Sequence, residues 1–181
     1  MRKIIFSINI TLDGFADHEA VIADDELHDF YADLLNDIDL VIFGRKTYQL
    51  LESFWPTAAW NPNSTKGMIN FADKINSVPK MVFTKTLTQV NWTNTIINRA
   101  GLVDEVLKLK NQPGKNISIG GLSIASVLAE AGLTDEYYFV TQPIILGEGK
   151  RIFSSLNERI NLKLLETRVF QSGVVVLHYS I

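Results

Sequence analysis

Two adjacent glycines, Gly120 and Gly121, join the alternating run Ile117-Ser118-Ile119 to a segment of helical period that begins at Leu122. A strand that passes through Gly-Gly into a helix leaves no side chain in front of the helix N-terminus. Free N–H groups and the positive end of the helix dipole point there, which favours an anion such as a pyrophosphate. The same glycines also suit a tight turn that needs φ > 0 and binds nothing. Two other places repeat the pattern of an apolar strand followed by a small, polar or basic turn. Gly44-Arg45-Lys46-Thr47 follows Leu40-Val41-Ile42-Phe43, and Thr84-Lys85-Thr86 follows Met81-Val82-Phe83. Arg45, Lys46 and Lys85 suit a phosphate monoester, each charged hydrogen bond contributing roughly 1.5–3 kcal/mol. In an open parallel sheet these two turns and Gly120-Gly121-Leu122-Ser123 share the carboxyl edge, where ligands bind.

Carboxylates supply the other half of a possible chemistry. Asp13 stands in Thr11-Leu12-Asp13-Gly14-Phe15, at the end of the first strand. Asp25, Glu26, His28, Asp29, Asp33 and Asp37 share one face of the next helix. Asp13 and the helix carboxylates Asp25, Glu26 and Asp29 are the candidate proton sources, Asp13 and Asp29 foremost, while any single helix acid reads more simply as part of a solvated face. His28 reads as a substrate contact or as a surface histidine. Trp55, in the loop 53–66, forms a pocket wall or anchors the loop. Gly147-Glu148-Gly149-Lys150 is not a P-loop, because the first glycine is misplaced and Arg151 stands where Ser or Thr is needed.

The elements that must position these residues follow from periodicity. Residues 2–10 alternate as a strand, with Ile4, Phe6, Ile8 and Ile10 on one face. Asp24 caps a helix marked by Leu27, Phe30, Tyr31, Leu34, Leu35 and Ile38. Leu40–Phe43 is a strand covered on both sides. Helices are expected from Arg45, over Met68–Asn76, from Leu102, and from Leu122 with Ile124, Val127, Leu128 and Ala131 buried. Strands are expected at Met81–Phe83, Thr95–Ile97, 136–146, Leu162–Phe170 and Val174–Tyr179, the last two as a hairpin. The expected fold is α/β, with helices on both faces of a mostly parallel mixed sheet and a C-terminal antiparallel hairpin. Residues 1–181 form one domain.

Composition narrows the function classes. The chain has 181 residues, a net charge of −3 and no cysteine. No basic block suggests nucleic acid. Thiolate zinc sites and disulfides are excluded, and no other metal site is indicated. The N-terminus reads as a strand and not as a signal peptide, and no run has the length of a membrane span. The expected location is the cytoplasm.

The order Ser7–Phe15, Val41–Tyr48, Ile119-Gly120-Gly121, Asp135–Tyr138 and Pro143–Gly149 resembles the dihydrofolate reductase-like family. The likeness is to the branch that holds the C-terminal reductase domain of the riboflavin-pathway deaminase-reductase, and it spans nearly the whole chain. The His-x-Glu and Cys-x-x-Cys elements of a deaminase are absent. The resemblance implies a three-layer dihydrofolate reductase-like fold. It implies an NADPH-dependent reductase of the 5-amino-6-(5-phosphoribosylamino)uracil type, or alternatively one acting on dihydrofolate or another pterin. A non-catalytic NADPH-binding protein is the remaining alternative. It also implies roles. Gly44, Arg45, Lys46 and Thr47 lie beneath the cofactor phosphates, with Arg45 at the 2′-phosphate. Thr84, Lys85 and Thr86 lie near the adenosine ribose. Gly120 and Gly121 hold the pyrophosphate, followed by Leu122, Ser123 and Ile124. Thr11, Asp13 and Gly14 lie beside the nicotinamide. Dihydrofolate reductases carry an acid on the helix before the Gly-Arg strand, and here that place falls near His28 and Asp29. Relatives in this branch commonly form homodimers. Strand 136–146 and the hairpin, with Tyr137, Tyr138, Phe139 and Phe170, suit such pairing.

Overall fold

The computed structural model describes residues 1–154 and 156–181. β1 is Ile4–Thr11, followed by α1 (Asp25–Leu34), a 3-10 turn (Leu35–Asp37) and β2 (Ile38–Gly44). Then come α2 (Arg45–Glu52), the single turn α3 (Trp55–Ala58), α4 (Lys66–Ser77), β3 (Lys80–Phe83) and β4 (Thr95–Asn98). α5 (Leu102–Lys110), β5 (Asn116–Gly120), α6 (Leu122–Glu130), β6 (Glu136–Gln142), β7 (Lys163–Val169) and β8 (Val175–Ser180) complete the chain.

The eight strands form one sheet in the order β4-β3-β2-β5-β1-β6-β8-β7. All neighbours from β4 to β6 are parallel, and the β6–β8 and β8–β7 pairs are antiparallel. Asn98, Phe83, Gly44, Gly120, Thr11 and Gln142 therefore end their strands on one edge. On one face, Val41, Phe43, Val82 and Ile5 pack with Tyr48 of α2, Ile75 of α4 and Trp92. On the other, Ile4, Phe6, Ile42, Ile117 and Ile119 pack with Leu128 of α6 and Val106 of α5. The three layers match the expected α/β architecture.

Local signals set the boundaries. The Asp24 side chain accepts from the Leu27 N–H and starts α1. Thr65 does the same for α4 through the Met68 N–H, two residues before the expected start. Ile38 belongs to β2 and not to the preceding helix. Its side chain is buried, so the apolar period runs on through a 3-10 turn into the sheet. The expected loop 53–66 holds α3, whose Pro56 sits in the first turn, where its missing N–H costs nothing. In α6 it is Ala125, Ser126 and Ala129 that are buried with Ile124 and Leu128, while Val127 is 43% exposed. β6 stops at Gln142, four residues before the expected end, because Pro143 cannot continue the ladder.

Lys80 opens β3 yet is only 1% exposed. Its ammonium donates to Ile75 O at 2.7 Å and Val78 O at 2.6 Å, at the end of α4. It also lies 4.7 Å from the Trp92 ring centre. Burial pushes its pKa down to about 8, and the carbonyls and ring are what it gains in return. Lys80→Met strands those carbonyls and should lower stability by about 2–3 kcal/mol. A urea denaturation curve would show this as a lower midpoint, and an unchanged midpoint would refute it.

Candidate active site at the carboxyl edge

β2 and β5 are neighbours, with Phe43 beside Gly120. This places the N-termini of α2 and α6 side by side. The approach is close enough to require glycine. A Cβ on Gly120 would lie 2.8 Å from the Phe43 ring. One on Gly121 would lie 2.8 Å from Thr47 Oγ1, and Gly121 has φ +109°. One on Gly44 would lie 3.3 Å from Ile124 Cγ1. Gly44 and Gly121 are the N-caps, and neither helix start has a side-chain cap. Two sets of first-turn N–H groups therefore face one place with no side chain to satisfy them. Leu122 and Ser123 begin α6 there, and buried Ile124 wedges against Gly44.

Cations rim this floor. Arg45 and Lys46 are exposed at the head of α2, with Arg45 bonded to Gln49 at 3.1 Å. The Thr84 hydroxyl accepts from the N–H groups of Thr86 and Leu87, which folds the turn and leaves Lys85 exposed. Arg99, just beyond β4, donates to Lys85 O at 3.1 Å and Leu87 O at 2.9 Å and braces that turn. Arg99 escaped the sequence reading, although a basic residue directly after Asn98 repeats the strand-end pattern of the other turns.

At the far side of the edge, half-exposed Asp13 is held by three groups. It accepts from the Thr11 hydroxyl at 2.6 Å, the Leu146 N–H at 3.1 Å and the Gly147 N–H at 2.7 Å. These bonds, the Thr11 bond foremost, lower its pKa to about 2. A carboxylate held this way is a clamp between two loops and a poor proton source. Gly14, at φ +84°, completes the turn, and Leu12 N–H bonds Ile144 O at 2.9 Å. Gln142 is fully buried beside Thr11, linking Asn9 Oδ1 at 3.0 Å to the Ile22 N–H at 2.9 Å. It too went unread, being polar at the end of an apolar strand.

The helix acids divide. Asp29 is exposed and accepts from Asn70 at 2.7 Å, Asp25 accepts from the Gly67 N–H at 3.2 Å, and Glu26 accepts from the Gln171 N–H at 2.9 Å. Each ties α1 to a neighbour. His28 is not on their solvated face. It is 8% exposed, with its ring 5.6 Å from Trp55 and 6.5 Å from Phe71. Its Nδ1 is buried with no hydrogen-bond partner among the described residues. Desolvation lowers its pKa, outweighing the Asp24 carbonyl and the nearby carboxylates. Trp55 packs at 4.6 Å on Phe71, which anchors it and sets it against His28. Among the described residues, no group of three His, Cys, Asp or Glu side chains could hold a metal, and no helix is long and apolar enough to cross a membrane.

The RibD C-terminal domain model matches residues 2–176. The chain belongs to this family. A Bacillus subtilis relative, the uncharacterized protein YyaP, is 36% identical over 98% of this chain and 94% of its own length. The uncharacterized YwjB of the same organism is 26% identical over 98% and 97%. Among solved structures, a putative riboflavin biosynthesis protein from Shewanella sp. PV-4 superposes with TM-score 0.75 at 20% identity, covering 99% of this chain and 98% of that one. A deaminase/5-amino-6-(5-phosphoribosylamino)uracil reductase from Thermotoga maritima gives TM-score 0.67 at 14% identity, with 99% and 56% covered. These structural likenesses carry the RibD-like, dihydrofolate reductase-like fold.

Proposed function

We propose that this RibD C-terminal domain protein is an NADPH-dependent reductase that delivers hydride to a nitrogen heterocycle of the 5-amino-6-(5-phosphoribosylamino)uracil type. The observation that carries this reading is the pair of uncapped helix N-termini meeting at Gly44 and Gly121, rimmed by Arg45, Lys46 and Lys85. Such a floor suits a pyrophosphate and such a rim suits a further phosphate. The cofactor supplies the hydride. The chain's own residues bind and orient it. The N–H groups of the first turns of α2 and α6 neutralise the pyrophosphate, Arg45 and Lys85 take the 2′-phosphate, and the Asp13-clamped Thr11–Gly14 turn borders the nicotinamide. His28 and Trp55, packed edge to face, offer a mostly apolar wall to the substrate ring. On that part of α1 the buried polar residue is His28, and Asp29 is exposed, which favours a pyrimidine over dihydrofolate. A reductase of this kind works in the cytoplasm.

Thermal shift with NADPH and NADH tests the reading directly. NADPH should raise the melting temperature far more than NADH at equal concentration. Arg45→Gln should weaken NADPH binding about 10–100-fold, the worth of one charge-assisted phosphate contact, and leave NADH unchanged. Equal shifts would remove the 2′-phosphate role, and no shift would overturn cofactor binding. Consumption of NADPH with the pyrimidine substrate then separates a reductase from a binder.

A further inference from the structure

β1 lies inside the parallel part of the sheet, between β5 and β6. A strand in that place is normally apolar on both faces. Ile4, Phe6 and Ile8 meet this rule on the α5 and α6 side. On the opposite face Ile5 obeys it, but the half-buried residues that follow by alternation are Ser7 and Asn9. This is the face that carries α1, since Tyr138, the β6 partner of Ser7, packs 6.1 Å from Phe30. The sheet is open where the two polar residues stand. β1 pairs with β5 only as far as Phe6, while it pairs with β6 through Thr11. Past that point the neighbouring chain turns through Gly120 and Gly121 into α6. Asn9 therefore stands between the glycine floor and the Asp13-clamped turn.

A chain of amides fixes the polarity of Asn9. The Ile22 N–H, ahead of α1, donates to Gln142 Oε1 at 2.9 Å. A backbone N–H can only donate, so this bond turns the Gln142 oxygen toward Ile22 and its amide nitrogen toward Asn9. Gln142, fully buried, then donates from Nε2 to Asn9 Oδ1 at 3.0 Å. The Asn9 oxygen is occupied, and its Nδ2 is left as a donor facing away from Gln142. Among the described residues neither Asn9 Nδ2 nor the Ser7 hydroxyl has a hydrogen-bond partner, and neither is sealed from solvent. We propose that Asn9 selects the substrate by donating to a carbonyl oxygen of its ring, and that Gln142 is the positioning residue that fixes the donor. The inference rests on the reductase reading and adds the feature by which the heterocycle is recognised, a ring C=O as in a uracil. A ring with an amino group at that position sets donor against donor and is rejected.

Calorimetry on protein saturated with NADP⁺, where no hydride can move, tests this. The probes are 5-amino-6-(5-phosphoribosylamino)uracil and its analogue with both ring carbonyls replaced by amino groups. The wild type should favour the uracil about 10–100-fold. Asn9→Asp keeps an acceptor for Gln142 and loses the donor, so the preference should reverse toward the amino analogue. Gln142→Met frees the Asn9 amide to turn either way. The preference should then fall toward parity, although Gln142 meets no ligand atom. A residue that only supported the fold would weaken both probes alike. In both variants the NADPH-dependent rise in melting temperature should match the wild type. Where Gln142→Met fails to fold, Asn9→Asp decides alone. A wild type that binds the uracil no better than the amino analogue would overturn the inference, and so would an unchanged preference in Asn9→Asp. Loss of the NADPH shift in Asn9→Asp would also overturn it, by placing Asn9 at the cofactor. The reductase reading stands or falls separately, on the wild-type NADPH shift.

Discussion

Asp13→Ala should lower the rate of NADPH oxidation by about 100-fold, the scale expected when a reacting geometry slips by an ångström. The carboxylate joins Thr11 to the backbone of Leu146 and Gly147, so its loss frees two loops that, on the proposed reading, border the nicotinamide end. NADPH binding at the phosphate end should change far less, giving a fall in kcat with little change in cofactor affinity. The pH profile discriminates a clamp from an acid. With its pKa lowered to about 2, Asp13 stays ionised across the neutral range. Any limb in the rate near neutrality should therefore persist in Asp13→Asn. A limb that vanished in that variant would return Asp13 to the role of proton donor. The linkage sign follows from the same shift. Because the folded-state value is depressed, the stabilisation is present above the ordinary carboxylate pKa and is lost as pH falls toward 2.

Gly121→Ala should abolish the NADPH-dependent rise in melting temperature and destabilise the free protein. An L residue at φ +109° costs about 1–3 kcal/mol, and its Cβ would press on Thr47 Oγ1 at 2.8 Å. Relief requires the start of α6 to move away from α2, which disperses the N–H groups that meet there. Gly132→Ala is the control. It also has positive φ, +66°, but its Cβ would meet open space and it lies at the other end of α6. It should cost stability and leave the NADPH shift intact. A Gly121→Ala protein that binds NADPH normally would exclude this floor as the pyrophosphate site.

The fold was legible because its signals are local. Asp24 caps α1, and β2 and β5 show strand patterns, whereas the Thr65 cap and the Pro143 stop, equally local, were passed over and left α4 and β6 with wrong bounds. The phosphate floor was legible in parts, since Gly44 and Gly121 each mark a strand-to-helix join. Their contact was not, because strand order sets β2 beside β5 and no local pattern encodes that. His28 was misplaced although its spacing sets it beside Tyr31 (i+3) and Leu35 (i+7), at the edge of the apolar stripe, where Trp55 and Phe71 from two other helices pack on it. Lys80, Gln142 and Arg99 share a further lesson. A polar side chain at a strand end looks like a boundary mark, whereas here each satisfies backbone or amide groups of another segment.

The interlocked starts of α2 and α6 bear on how such a protein can diversify. Gly44, Gly120 and Gly121 touch Ile124, Phe43 and Thr47, side chains of the helices and sheet that build the fold itself. Variation there is filtered by folding before it is filtered by ligand preference. Arg45, Lys46 and Lys85 are exposed and can be exchanged at little structural cost. On the proposed reading, descendants of this scaffold are free to drift in which phosphorylated nucleotide they prefer, while folding constrains the seat that would receive it.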